Sequence, residues 1–208
     1  MKERSVVPPG CADLPTLVNS LSRDVGCVAT QRAVSYDISY PEFLRYFRDA
    51  GELTRHHVII AANFAYGWMP TVLKSISTDL DAATQSLQRA RDGQLLRQAE
   101  IENLANVING SSVGASKVLH FAAPSNYAIW DSRVATYLGA MVQRGSAGAS
   151  QYIAYNESCR AIASRREAEN IRSAVGEIIK CDISAIRALE LVMYCGALEK
   201  RTYAGSAQ

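Results

Sequence analysis

The chain has no uninterrupted apolar run of about 18 residues, the length a membrane-spanning helix needs. The nearest approach, Val58 to Leu73, is broken by Asn63, Gly67 and Pro70. No C-x-x-C pair occurs either. The five cysteines, Cys11, Cys27, Cys159, Cys181 and Cys195, are odd in number and widely spaced, which excludes a zinc ribbon or a cysteine-held iron–sulfur cluster and predicts reduced thiols. Neither sign of charge dominates, with 22 Lys and Arg against 20 Asp and Glu, a formal net charge of +2. That balance permits nucleic-acid binding through a local basic groove without arguing for it. The opening MKERSVVPPG carries basic residues but no apolar stretch after them, so a secretory signal is not expected and a cytoplasmic protein is. Of the three histidines, His56 and His57 open an apolar segment with no acid at H-E-x-x-H spacing; no metal and no cofactor is expected.

What is present is helical periodicity. The spacing predicts helices from Asp13 to Leu21, from Pro41 (as first residue) to Gly51, from Leu53 to Trp68, from Asp79–Asp81 to Asp92-Gly93, and from Leu95 to Ile108. The third, apolar all round and stopped by Met69-Pro70, reads as the central buried helix. Further helices are expected over Lys117 to Phe121, from Asp131 through Leu138, over Tyr152 to Lys180 in one or two pieces, and over Ile183 to Leu198. Gly145 to Ser150 reads as a small-residue loop and the tail TYAGSAQ as disordered. Ser5 to Val7 and Val34 to Ile38 are the only β-like runs, and neither has a clear partner. The expected fold is therefore all-α, residues 1–208 forming a single helical domain of two helical lobes.

The informative stretch is Ile108 to Leu138, INGSSVGASKVLHFAAPSNYAIWDSRVATYL. A helix ends at Asn109-Gly110, a turn runs through Ser111, Ser112, Val113 and Gly114, and a new helix starts at Ala115. The first N–H groups of such a helix lack partners inside it, and its positive end suits a phosphate. The hairpin occupies residues 108–121, and a loop and helix follow over 128–138.

This arrangement resembles the helix-hairpin-helix DNA glycosylase superfamily. The corresponding residues are Ser112-Val113-Gly114 in the hairpin, Ser116 to Phe121 in its helix, and Ile129-Trp130-Asp131 before the next helix. The His120-Phe121 pair with Ile129-Trp130-Asp131-Ser132-Arg133 is similar to the 8-oxoguanine glycosylase branch. The resemblance implies a two-lobed helical fold and double-stranded DNA as partner. It also implies phosphate held by the hairpin, a flipped base, and Asp131 stabilising an oxocarbenium-like sugar as the base leaves. Taken alone, Asp131 reads as an N-cap for the helix that follows; with the hairpin upstream the catalytic role is favoured, and the two roles are compatible. Bifunctional members carry a lysine where this chain has Ser116, with Lys117 one residue on. The resemblance therefore implies a monofunctional enzyme that uses water. Lys117 is then expected to contact phosphate, or to act as nucleophile if the shortened loop shifts the register. The substrate class is either an oxidised purine or, as in phage-defence glycosylases, a glucosylated hydroxymethylcytosine. The alternative is a non-catalytic DNA-binding protein that kept the hairpin.

Tyr66, Trp68, Trp130 and His120 are the candidates for a base pocket, each with core packing as its alternative. Ser112, Val113, Gly114, Ser116 and Arg133 are the candidate DNA contacts, with Arg144, Arg160, Arg165 and Arg166 as further phosphate ligands. Tyr152, Tyr155 and Asn156 can hydrogen-bond a base, but nothing in their spacing singles them out. A monomer without membrane association is expected.

Overall fold

The computed structural model describes residues 13–31, 34–68, 73 and 79–205, with the side chains of 34–37 and 199–205 outside that description. Eleven helices run through the described residues, and no extended strand does. They are α1 (Leu14–Asp24), α2 (Cys27–Gln31), α3 (Val34–Arg48), α4 (Arg55–Gly67), α5 (Leu80–Arg91), α6 (Gln98–Val107), α7 (Ser112–Ala122), α8 (Ser132–Tyr137), α9 (Gly145–Ala163), α10 (Arg166–Ile179) and α11 (Ala185–Gly205). The all-α class read from periodicity is what the chain adopts. No helix of the described residues is long and apolar enough to cross a membrane.

The helices gather into two compact units. One comprises Met1–Ala33, Asp131–Val142 and Ala154–Gln208; the other comprises Val34–Trp130 and Gln143–Ile153. In the first unit, α11 packs on α1, α2, α8 and α10. Its approach to α8 is close because residue 196 is glycine: a Cβ there would lie 2.8 Å from Cε2 of Tyr137. The Tyr137 hydroxyl donates to Asp24 Oδ2 at 2.8 Å, tying α8 to the end of α1. Burial and that bond hold the Tyr137 phenol far above its usual ionisation range.

In the second unit, α7 is the hub, packed by α3, α4, α5 and α6. Every residue of α7 except Val113 is buried. This corrects the expectation that the Leu53 to Trp68 segment is the central helix. Helix α4 buries Val58, Ala61, Ala62, Ala65 and Tyr66 but exposes Arg55, His56, Ile60 and Asn63, so its apolar character serves one face. His57 closes its N-terminus, with Nδ1 accepting the Thr54 N–H at 3.0 Å.

Several boundaries differ from the sequence reading for physical reasons. Val34 to Ile38 is helical and opens α3, which satisfies backbone groups that an unpaired strand would leave open. Pro41 consequently lies inside α3 rather than at its start, and the helix ends at Arg48, before Gly51. The small-residue run from Gly145 to Ser150 is the start of α9, not a loop. Gly148 must be small there, because a Cβ would meet the Gln143 carbonyl oxygen at 2.5 Å. The tail continues α11 to Gly205 instead of fraying from Thr202. Ser5 to Val7 and Met69-Pro70 lie outside the described residues.

Candidate functional site

The turn between α6 and α7 is made by Asn109 and Gly110, both left-handed, with φ of 63° and 65°. The turn is thus two residues earlier than the spacing suggested, and Ser112, Val113 and Gly114 form the first turn of α7. Ser111 is the N-cap, and its Oγ accepts the Gly114 N–H at 3.2 Å. The N–H groups of Ser112 and Val113 donate to no described residue, as first-turn groups of a helix commonly do not. Gly114 itself is a packing glycine: a Cβ would sit 2.8 Å from Ile108 Cγ2 and 3.1 Å from Tyr66 Cε2. That corrects the expectation of Gly114 as a surface for close phosphate approach, because its missing side chain faces the core. Ser112 is buried, and its Oγ has no hydrogen-bond partner among the described residues.

The remaining polar residues of α7 staple the segment that follows it. Residues 127–130 run back along the helix, with Tyr127, Ala128, Ile129 and Trp130 all buried. A buried extended segment must find partners for its backbone, and Ser116 and His120, one helical turn apart, supply them. Ser116 Oγ accepts the Trp130 N–H at 2.9 Å and lies 2.8 Å from the Val113 carbonyl and 3.2 Å from that of Trp130. His120 Nδ1 is 2.6 Å from the Tyr127 carbonyl, which can only accept, so Nδ1 carries a proton. In the neutral ring Nε2 is then the acceptor for the Tyr40 hydroxyl at 2.8 Å. The Tyr127 hydroxyl accepts the Leu96 N–H at 2.9 Å and donates to the Gln94 carbonyl at 2.8 Å.

This geometry reassigns several candidates. Ser116 is wholly buried and is a scaffold residue rather than a DNA contact. Lys117 is 5 % exposed, so it is not a phosphate ligand on an open helix face. His120, Trp130 and Tyr66 are packed inside the unit, and Trp68 donates its indole N–H to Ser39 Oγ at 2.9 Å. An open concavity of the same unit, about 380 Å³, lies on α3 and α4 against Glu42, Arg45, Tyr46, Asp49, Ala50 and His57. None of the four expected pocket residues lines it. Tyr152, Tyr155 and Asn156 are likewise buried.

Asp131 and Arg133, in the other unit, have a different character. Asp131 is extended, with φ −150° and ψ 179°, and caps α8. Its Oδ1 accepts the N–H groups of Arg133 and Val134, each at 2.9 Å. Oδ2 accepts from no described residue, and no described cation pairs with the half-buried carboxylate. The Arg133 guanidinium stacks over the Tyr194 ring, 4.6 Å from its centroid, and donates through Nη1 to the Tyr194 hydroxyl.

Behind this turn the unit is polar but sealed. Arg187 and Glu190 form a buried ion pair on α11. The Tyr155 phenol is held well above its usual range, first by burial, then by Cys159, and further by the Glu190 and Asp131 carboxylates. Burial pushes the Cys159 thiol up to about 12. Among the described residues no cluster of His, Cys, Asp or Glu is arranged to hold a metal ion.

No family model, no curated protein and no solved structure matches this chain. The functional reading therefore rests on the residues themselves. Sequence reasoning singled out Asp131 and Arg133 but missed Tyr127, Tyr40 and Tyr194. A signal for the first two was available. Ser116 and His120 stand at i and i+4 on a largely apolar helix, and polar groups on a buried face require partners.

Proposed function

We propose that this chain is a helix-hairpin-helix DNA glycosylase of the monofunctional kind, which releases a modified or damaged base and leaves an abasic site. The observation that carries the reading is the state of Asp131. One carboxylate oxygen is locked to the backbone of α8, so the group is rigid, while the other is uncommitted and unpaired. A fixed, unneutralised carboxylate suits a reaction in which positive charge develops on carbon.

In that reaction the electron pair of the N-glycosidic bond leaves with the base, and the sugar becomes oxocarbenium-like. Asp131 stabilises that charge, water adds at C1′, and the water's proton passes to the carboxylate or to solvent. Burial of Ser116 and its bonds to Trp130 support the absence of an amine nucleophile, because the position at which relatives carry lysine is taken by a structural role. The N–H groups of Ser112 and Val113, which have no described partner and follow the left-handed turn of Asn109 and Gly110, support the hairpin as a phosphate contact. Two substrate classes fit, an oxidised purine and a glucosylated hydroxymethylcytosine of phage DNA.

A second reading, a non-catalytic DNA-binding protein, is favoured by the burial of Tyr66, Trp130 and His120, which leaves the expected base pocket closed. One experiment separates the two. The protein is incubated with duplexes carrying oxidised purines and with phage DNA containing glucosylated hydroxymethylcytosine, and released bases are identified by mass spectrometry. The glycosylase reading expects a released base, strand breakage only after alkali or heat, and no adduct trapped by borohydride. DNA binding without base release from any of these substrates upholds the second reading. A borohydride-trapped adduct overturns the water mechanism.

A further inference from the structure

We infer that Tyr194 is a positioning residue that holds the Arg133 guanidinium for a DNA phosphate and keeps it from neutralising Asp131. The inference rests on the DNA-processing reading for its partner but stands on its own geometry. Arg133 follows Asp131 by two residues, and the Asp131 carboxylate has an uncommitted oxygen. An arginine side chain two residues from a carboxylate is long enough to reach it, and a bidentate pair is the strong form such a contact takes. Here it does not. The guanidinium lies over the Tyr194 ring, 4.6 Å from the centroid, and one of its nitrogens donates to the phenol oxygen. No described carboxylate pairs with it.

Among the described residues the arrangement leaves two charges of opposite sign without an ion-pair partner at one turn of chain, and both are half-buried. Holding a guanidinium out of bulk water without a counter-ion is unfavourable. The state makes sense if an anion completes it. Stacking on tyrosine occupies one face of the guanidinium and one N–H, and the remaining in-plane N–H groups form the planar fork that suits two phosphate oxygens. A phosphodiester is the anion that fits beside a carboxylate reserved for developing sugar cation. One nucleotide presents both, a phosphate for Arg133 and a C1′ for Asp131.

The test uses the full chain and two duplexes, one undamaged and one with a single tetrahydrofuran abasic analogue, titrated by fluorescence anisotropy over a range of salt. For each phosphate released from its counter-ion, the slope of log K against log salt changes by about 0.9. Arg133→Gln is expected to lower the slope by about one such unit on both duplexes. Neutralising the phosphates beside the analogue one at a time, as methylphosphonates, should weaken wild-type binding at one position and leave Arg133→Gln unaffected there. Tyr194→Leu, which removes ring and hydroxyl, should behave like Arg133→Gln. Tyr194→Phe keeps the ring and its stacking and should retain affinity within about fivefold of wild type, the scale of one ordinary hydrogen bond. Circular dichroism checks folding, and Tyr194→Phe, the milder change, keeps the test valid if Tyr194→Leu is unstable. An unchanged salt slope in folded Arg133→Gln overturns the inference, as does a Tyr194→Leu variant indistinguishable from wild type. If the wild type shows the Arg133-dependent slope but no preference for the abasic duplex, the phosphate contact stands and the glycosylase reading loses its support. If it binds neither duplex, both fall.

Discussion

Helix α7 ends at Ala122 and α8 opens at Ser132; both carry polar side chains, yet the protein uses them in opposite ways. On α7, Ser116 and His120 are fully buried and bonded to the backbone of 127–130. At α8, Asp131 and Arg133 are half-buried; one has an oxygen to spare, and the other is held by an aromatic ring rather than a counter-ion. A polar residue whose hydrogen bonds are all met inside the protein specifies structure. A polar residue held rigidly with capacity unused is available for a ligand. Residue type and spacing therefore do not by themselves separate a polar group spent on structure from one with hydrogen-bonding capacity left over.

The largest expected effect tests the scaffold side. His120→Ala removes the partner of both the Tyr40 hydroxyl and the Tyr127 carbonyl and opens a cavity in the hub helix. It is expected to destabilise the protein by about 3–4 kcal/mol, read from urea unfolding. A loss below about 1 kcal/mol would mean that α7 is not the rigid element described.

The second tests the other side. Asp131→Asn keeps a good capping residue, so unfolding midpoints should hardly move, while single-turnover base release should fall by at least about 10²-fold. Unfolding and excision that decline together would make Asp131 a cap and no more.

Gly114→Ala sharpens the comparison within α7. The added methyl meets Ile108 and Tyr66 and should cost about 1–3 kcal/mol through overpacking. Any weakening of DNA affinity should follow the fraction folded; a stable variant with weakened affinity would restore Gly114 to the phosphate surface.

The smallest effect concerns thiols and pH. Burial raises Cys159 and Cys195 from 9.0 to about 12. The unfolded chain therefore loses these protons first, so their contribution is intact below about pH 9 and declines as pH rises toward 12. Urea midpoints measured at pH 8 and pH 10 should fall with rising pH. In the native protein a thiol reagent should modify half-exposed Cys181 before Cys159 or Cys195, as peptide mass spectrometry would register. Equal labelling of all three would contradict the sealed interior of this unit.

Much of the architecture was legible in the sequence because helical periodicity and capping are local. Asp13 and Asp131 cap helices as their side chains and positions imply, and α5 opens after Asp79 and ends at Arg91, just before Asp92-Gly93. Boundaries failed where the deciding contact is distant or absent from the local pattern. Val34 to Ile38 has the composition of a strand, but a strand needs a neighbour to take its backbone bonds. Gly145 to Ser150 has the composition of a loop, but its small residues let a helix start against the Gln143 carbonyl.

For the site, residue order places an acid and a base two residues apart, at the start of a helix, after an apolar segment and a glycine-bearing turn. Tertiary structure alone decided what each is free to do. Whether Ser116, Lys117 and His120 face solvent or core depends on which helices surround α7, and those come from residues up to eighty positions away, as Tyr40 to His120 illustrates. Arg133 finds its contact at Tyr194, sixty-one residues on, rather than at Asp131. Hydrogen bonds and stacking act over a few ångströms in space, so no local pattern of residues carries that information.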